Sequence, residues 1–574
     1  MIVVVSVVLA LAVIAGSALL SDRVRVASPL LLVGMGIALS LVPAMPEVHV
    51  EPEWILAGIL PPLLYSASAS MPAMDFRREL TAIGGLSVVL VVVSAFAVGG
   101  FFALVIPDLG LAQGVALGAI VSPTDAVATS IVKRLGVSSR ITTMLDGEAL
   151  LNDATALAVL RAAIGASAAA VGFWPVVGGF LLSVVVACVV GVLVGLAALR
   201  VRARVADAAV STLVSFLVPF VASIPTELLG ASGLVAAVAA GLVTGTGAAR
   251  WLSPAHRVSD AQTWQVIELV GEGAVFFTMG LQLTSVSHDV VAARTGLGLA
   301  VGAALGALAV TLVVRTCYVA FLLYSARVRA RRSAELMPRL RQMQHQLDED
   351  PDHASETVTR FRRERGRTTG TDDPGDDDRT PPDHRQESLD RMQRRLARTD
   401  DEQRQGTVER VQRRLTRFVS DVDYELSRPL GWRHATVLVW AGMRGAVTLA
   451  AAQTLPADTP QRSLLVLVAF LVAVASLLVQ GGTLATVVHR VRPPGDDPDA
   501  LRAEQVELEG IVDAAGRTAR DEGRDPIAVI TAQRTALLDA RRDGRFSSAV
   551  LTSALTRLDA DEIRLEMRTA DPDD

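Results

Sequence analysis

Apolar residues run along this chain in long blocks rather than in the two-residue alternation of exposed strands, and polar residues collect between the blocks. About thirteen such runs lie near residues 1–20, 29–42, 54–69, 80–106, 111–132, 144–164, 173–199, 205–224, 232–246, 263–283, 296–324, 432–455 and 464–488. Most are long enough to cross a hydrocarbon core of roughly 30 Å as a helix. The pattern predicts an all-α polytopic membrane protein. The first run begins at Met1 without a positive stretch ahead of it, so it is read as a span rather than a signal peptide.

Two segments break the apolar pattern, which divides the chain into spans one to eleven (1–325), a charged insertion (326–431), spans twelve and thirteen (432–490) and a polar tail (491–574). The centre of the insertion, at 365–386, is rich in Gly, Pro and Asp and too polar to order itself. On its flanks Leu389, Met392 and Leu396, then Val408, Val411, Leu415, Phe418 and Val422, recur at the spacing of an amphipathic helix. Short amphipathic runs at 528–540 and 547–558 make the tail either a loose cytoplasmic appendage or a regulatory domain.

Composition agrees with the pattern: 51% hydrophobic and 20% charged residues, with a mean hydropathy of +0.42, are too apolar for a soluble chain of 574 residues. Net charge, -5, says less than where the charge lies. Arginine and lysine follow alternate spans, at Arg23, Arg77, Lys133 and Arg140, Arg200 and Arg202, Arg250, the run 327–332 and Arg490, while the intervening loops carry almost none. Positive charge stays inside, which puts the N-terminus outside and the tail in the cytoplasm. Trp54, Trp174, Trp264 and Trp432 fall at expected span ends, where interfacial aromatics belong. Cys188 and Cys317 lie far apart in apolar runs and suggest neither a disulfide nor a metal cluster.

Polar residues inside the spans are few and concentrated. Gly147-Glu148-Ala149-Leu150-Leu151-Asn152-Asp153 puts two acids deep in the helix expected at 144–164. An ionised carboxylate costs about 3 kcal/mol in hydrocarbon on insertion scales, so each acid needs a cavity or a partner. Helical periodicity points them in different directions, so one can pair while the other faces a cavity. Arg315 and Arg444 are the available bases; a structural ion pair of Glu148 with Arg315 is expected, with Arg444 the alternative. That leaves Asp125 and Asp153, which cannot both ionise cheaply when close, so a proton or a metal cation must neutralise one. Competition between the two for the same oxygens is the physical core of an antiporter, and hard oxygen ligands suit alkali ions.

Two spans carry helix breakers. Span five contains Ser122-Pro123-Thr124-Asp125, in which proline removes a backbone donor, and span twelve contains Ala441-Gly442-Met443-Arg444-Gly445. They are seven spans apart, the offset expected of two inverted-topology repeats whose matching helices break near the midplane.

Those residues resemble the monovalent cation/proton antiporters, the family of the bacterial NhaP proteins and the animal sodium/proton exchangers. Four stretches carry the likeness: 122–125, 147–153, Gly-Met-Arg-Gly at 442–445, and the run WQVIELVGEGAVFFTMG from Trp264 to Gly280. Leu-Pro-Pro-Leu-Leu at 60–64 and Val-Gln-Gly-Gly-Thr-Leu at 479–484 add to it. The resemblance implies an NhaA/NhaP-like fold with broken crossing helices, and a homodimer whose core domain moves against a dimerisation domain. It implies that Asp153 alternately holds cation and proton, that Asn152 orients it, that Asp125 reaches the ion and that the Thr124 carbonyl contributes. An Asn-Asp pair is the family pattern associated with electroneutral exchange.

Departures bear on selectivity. A Phe-Glu usual after Leu-Pro-Pro-Leu-Leu is Tyr65-Ser66 here, a frequent serine is Ala149, and the usual Asn of the tenth span is Glu272. Ser66 and Glu272 are therefore possible additional ion-site residues. The expectation is an electroneutral Na⁺/H⁺ antiporter of a prokaryotic plasma membrane, with Asp153 and Asp125 holding Na⁺. K⁺ or Li⁺ is the alternative cation, and a cation channel or a membrane-anchored sensor the rival from another class. The expected partners are the lipid bilayer, the cation, the proton and a second copy; no cofactor, enzymatic chemistry or nucleic acid is expected.

Overall fold

The computed structural model describes residues 2–24, 26–42, 51–168, 173–283, 286, 297–349, 416–417, 419–424, 426–445, 447–457 and 459–570, and all regular structure among them is helical. The expected helical positions Leu389, Met392, Leu396, Val408, Val411, Leu415 and Phe418, with the centre of the insertion, lie outside the described residues. The chain forms two compact units. One comprises Met1–Tyr324, Leu430–Leu501 and Thr556–Asp574; the other comprises Ser325–Pro429 and Arg502–Leu555.

In the first unit, α1 (Ile2–Val24) and α2 (Ser28–Ser40) precede a π-helical Trp54–Ile59 that leads into α3 (Leu60–Ser70). α4 (Ala73–Gly84) continues through a π-helical Gly85–Val89 into α5 (Leu90–Val105). There follow α6 (Leu111–Val121), α7 (Val127–Arg134), α8 (Ser139–Ala168), α9 (Phe173–Arg202), α10 (Ala208–Leu228), α11 (Gly233–Trp251), α12 (Pro254–Leu281) and α13 (Leu297–Glu349), which belongs to this unit as far as Tyr324. Beyond the insertion come α14 (Trp432–Trp440), α15 (Val447–Gln453), α16 (Arg462–Ser476), a π-helical Leu477–Gly481 and α17 (Gly482–Val491). Among the described residues seven helices are long and apolar enough to cross a bilayer. Other expected spans are short or cut in two: span five becomes α6 and α7, and span twelve becomes α14 and α15.

Two sets of helices pack within this unit. α5, α6, α8, α15 and α16 surround one apolar core, while α3, α9, α10, α11 and α12 surround another. Lipid tails give helices no apolar incentive to associate, so small residues that let backbones touch do much of the holding. Cβ atoms at Gly114 or Gly118 would overlap the carbonyls of Gly99 and Ala95, which is how closely α6 lies on α5. In the second set, Gly241 and Gly245 play that part against α3.

Helix starts explain one correction. Trp264, expected at an interface, is buried midway along α12, its ring 5.2 Å from that of Tyr65 and its Nε1 donating to Ser215 Oγ (3.0 Å). α12 begins earlier than hydropathy alone suggests, because the Ser253 side chain caps it by accepting the His256 N–H and Pro254 suits its first turn. Trp54 and Trp432 are exposed, as interfacial rings should be.

The second unit has its own small core. Residues of α18 (Pro498–Asp521) and α19 (Pro526–Asp543) bury Leu508, Val512, Ile530 and Leu537, and a Cβ at Gly516 would overlap the Gln533 side chain. Arg545 Nη2 pairs with Glu507 Oε1 (2.8 Å), and the Ser547 N–H, just ahead of α20 (Ser548–Ala570), donates to Glu504 Oε2 (2.8 Å).

Candidate ion-binding site

The breaks in spans five and twelve meet. α6 ends at Val121 and α7 starts at Val127, with Pro123 unable to continue the ladder. α14 ends at Trp440 and α15 starts at Val447. The Asp125 N–H donates to the Met443 carbonyl (2.8 Å), tying one unwound segment to the other. The second break also serves a helix end of the first. Arg444 reaches across to the carbonyl end of α6, donating from Nε to the Val121 carbonyl (2.9 Å) and from Nη2 to that of Ser122 (3.5 Å), while its Nη1 donates to its own segment's Gly442 carbonyl. A guanidinium there satisfies orphan carbonyls and opposes the negative end of the helix dipole. Asp125 Oδ1 accepts the N–H of Val127 at the start of α7 (3.2 Å).

Both glycines of the second break are required by close approach. A Cβ on Gly442 would overlap the Arg315 guanidinium, and one on Gly445 would overlap the Asp125 carboxylate.

Over this crossing lies α8. Arg315 grips Glu148 with two parallel bonds, Nη1 to Oε1 (2.5 Å) and Nη2 to Oε2 (2.9 Å), and its Nε donates to the Leu438 carbonyl (2.9 Å). Both side chains are only 2% exposed. The fork geometry suits an arginine buried against a carboxylate. The Thr124 hydroxyl adds a third bond to Glu148 Oε1 (3.0 Å). Of the two arginines left open by sequence, Arg315 meets Glu148 and Arg444 meets carbonyls.

One turn further along α8, Asn152 Nδ2 donates to the Thr124 carbonyl (2.9 Å) and to its Oγ1 (2.7 Å). Asn152 therefore holds the break, and its described bonds do not go to Asp153. Asp153 itself, 7% exposed, makes no hydrogen bond or ion pair among the described residues. It lies close enough to Asp125 for their charges to interact. Among the described residues Asp125 Oδ2 and Asn152 Oδ1 are buried acceptors without a donor. Orphaned acceptors in a dry site are costly and ask for a proton or a cation.

The two additional candidates differ. Ser66 is buried in α3 and no hydrogen bond among the described residues joins it to either acid. Glu272 of α12 is exposed, although its neighbours Gly271 and Gly273 pack against α3 and α1, and it lies within electrostatic reach of Asp125.

With this geometry in view, the sequence model of one family, described as Sodium/hydrogen exchanger, transmembrane, matches residues 7–340 and 414–490. The chain belongs to the sodium/hydrogen exchanger family. Among its relatives is an uncharacterized Na(+)/H(+) exchanger, YjcE, of Escherichia coli K12, 34% identical over 269 residues, 45% of this chain and 49% of that protein. An uncharacterized Na(+)/H(+) exchanger of Mycobacterium tuberculosis H37Rv, Rv2287, is 28% identical over 507 residues, covering 86% of this chain and 75% of its own. The Sodium, potassium, lithium and rubidium/H(+) antiporter of Bacillus pumilus is 29% identical over 300 residues, 49% of this chain and 44% of that one. The match thus spans about half the length of the first and third of these relatives. Among solved structures, the sodium proton antiporter MjNhaP1 from Methanocaldococcus jannaschii shares the fold, with a TM-score of 0.55 at 12% identity over 86% of this chain and 99% of its own. Members of the exchanger family are multi-pass membrane transporters rather than enzymes.

Sequence inspection missed several polar contacts of this chain. Arg140, counted as a loop charge, is buried with its Nε 2.6 Å from Glu79 Oε1. Arg202, also counted as a loop charge, is buried against Asp260, with its Nε donating to Ser211 Oγ (3.1 Å). A charge at a span end looks the same in sequence whether it reaches water or folds back onto a neighbour.

Proposed function

We propose that this exchanger is an electroneutral Na⁺/H⁺ antiporter in which Asp153 alternately holds a cation and a proton. Charge balance at the crossing carries the proposal. Arg315 cancels Glu148, and Arg444 offsets one of the two remaining acids, Asp125 and Asp153, so the site keeps one net negative charge. One proton or one monovalent cation cancels it, and the two loaded forms then carry equal charge. Asp125 Oδ2 and Asn152 Oδ1 supply further hard acceptors beside Asp153, and the Thr124 carbonyl lines the break that Asn152 holds. Movement of the broken-helix set against the other set would expose the site alternately to each side of a prokaryotic plasma membrane. The protein works as a homodimer with its N-terminus outside and its tail in the cytoplasm, in line with the basic loops.

The test is to reconstitute the full chain in vesicles and follow internal pH while Na⁺ is added outside. Na⁺-driven proton movement in the wild type and none in Asp153→Asn is expected, and the half-saturating Na⁺ concentration should rise as pH falls, since the proton is the competitor. Flux that persists without any proton movement would favour a channel and end the proposal.

A broader cation range is the second reading. The Bacillus pumilus relative is named for sodium, potassium, lithium and rubidium, and this chain carries Ser66 where the family usually offers an acid. The same vesicles given K⁺ or Li⁺ decide it.

A further inference from the structure

The stretch Val479-Gln480-Gly481-Gly482-Thr483-Leu484 takes no part in the ion site described above. Just before and within it, residues Leu477–Gly481 wind as a π-helix between α16 and α17. Such turns shift one residue out of α register and recur at functional positions. Ser476, just ahead of the shift, and Gln480, within it, are both wholly buried. The Ser476 hydroxyl donates to Gln480 Oε1 (2.9 Å) and accepts the Arg444 N–H (2.8 Å).

That N–H lies in the same peptide plane as the Met443 carbonyl, the acceptor of the Asp125 N–H (2.8 Å). A peptide unit is rigid, so holding one end sets the other. Among the described residues the helices' own ladders do not set it: α14 bonds end with the Gly442 N–H, and the bonds leading into α15 begin with Thr448 N–H to the Gly445 carbonyl. A single line of hydrogen bonds therefore runs from Gln480 through Ser476 and one unwound peptide to the backbone of Asp125.

We infer that Ser476 and Gln480 are positioning residues for cation binding. Gln480 fixes the Ser476 hydroxyl proton so that an oxygen lone pair faces Arg444, and Ser476 fixes the peptide that sets Asp125 in the site. The inference rests on the proposed function in taking Asp125 as a cation ligand. Neither side chain touches the ion; their effect passes through the Met443–Arg444 peptide. A purely structural pair would alter yield and unfolding temperature and leave cation affinity alone.

The experiment uses the full chain in vesicles with Na⁺ as the probe, comparing wild type with Ser476→Ala, Ser476→Thr, Gln480→Leu and the Ser476→Ala/Gln480→Leu double variant. Ser476→Ala should raise the half-saturating Na⁺ concentration about three- to tenfold, the worth of one net hydrogen bond, with the maximal rate little changed. Ser476→Thr, which keeps the hydroxyl, should restore it. Gln480→Leu should raise it less, and the double variant should match Ser476→Ala, because serial links are not additive. An unchanged half-saturation in Ser476→Ala, or a double variant in which both effects add in full, overturns the inference.

Hydrogen exchange of the amides at 441–445 judges the relay without reference to transport: faster exchange in Ser476→Ala supports it, and unchanged protection overturns it. Wild-type vesicles that show no cation-driven proton movement would defeat the functional proposal instead, and the exchange result would still decide the relay.

Discussion

Two acids on one helix, Glu148 and Asp153, are both nearly inaccessible, yet their surroundings are opposite. Glu148 has both oxygens held by Arg315 and a further bond from Thr124. Asp153 has no hydrogen bond or ion pair among the described residues and sits beside another carboxylate. Burial alone therefore does not mark a working acid. What separates the two is whether the fold has already supplied the neutralising charge: Arg315 does so for Glu148, and under the proposed function a proton or the transported cation does so for Asp153.

Substitutions can break that contrast, starting with the largest effect. Asp153→Asn should abolish cation-driven proton movement while leaving the unfolding temperature unchanged or raised, because an uncompensated buried acid is removed. Glu148→Gln should do the reverse in emphasis. It strands the Arg315 guanidinium in a dry site, a loss of about 3–5 kcal/mol of stability, which thermal unfolding of the purified protein would read. A destabilised Asp153→Asn or a fully stable Glu148→Gln would erase the distinction. Gly445→Ala should come next: its methyl group meets the Asp125 carboxylate, an overlap worth about 1–3 kcal/mol that should appear as a raised half-saturating Na⁺ concentration. Glu272→Gln should be the mildest, slowing uptake at low Na⁺ by roughly twofold at low salt and by less as salt rises, since an exposed acid acts at a distance.

Much of this was legible in the chain. Proline at 123 and the glycines at 442 and 445 announce the two breaks, and the membrane penalty on charge singles out Glu148, Asp153, Arg315 and Arg444. Periodicity also points the two acids of α8 in different directions. What it leaves open is which arginine Glu148 meets, since Arg315 lies 167 residues away and only packing joins them. The role of Asn152 is hidden for the same reason: its neighbour in sequence is Asp153, but its amide goes to Thr124 in the break between α6 and α7. Ser476 and Gln480 look like ordinary polar residues in an apolar run until the peptide they hold is known to hold Asp125.

The central claim is that the site carries one net negative charge that one proton or one cation cancels. It is tested most directly by measuring Na⁺-driven proton movement in vesicles clamped at a series of membrane voltages. A rate that does not change with voltage is the expected result, since both loaded forms carry the same charge. A rate that rises or falls steadily with voltage would mean that unequal charges cross, and would contradict the charge balance drawn from Glu148, Arg315, Arg444, Asp125 and Asp153.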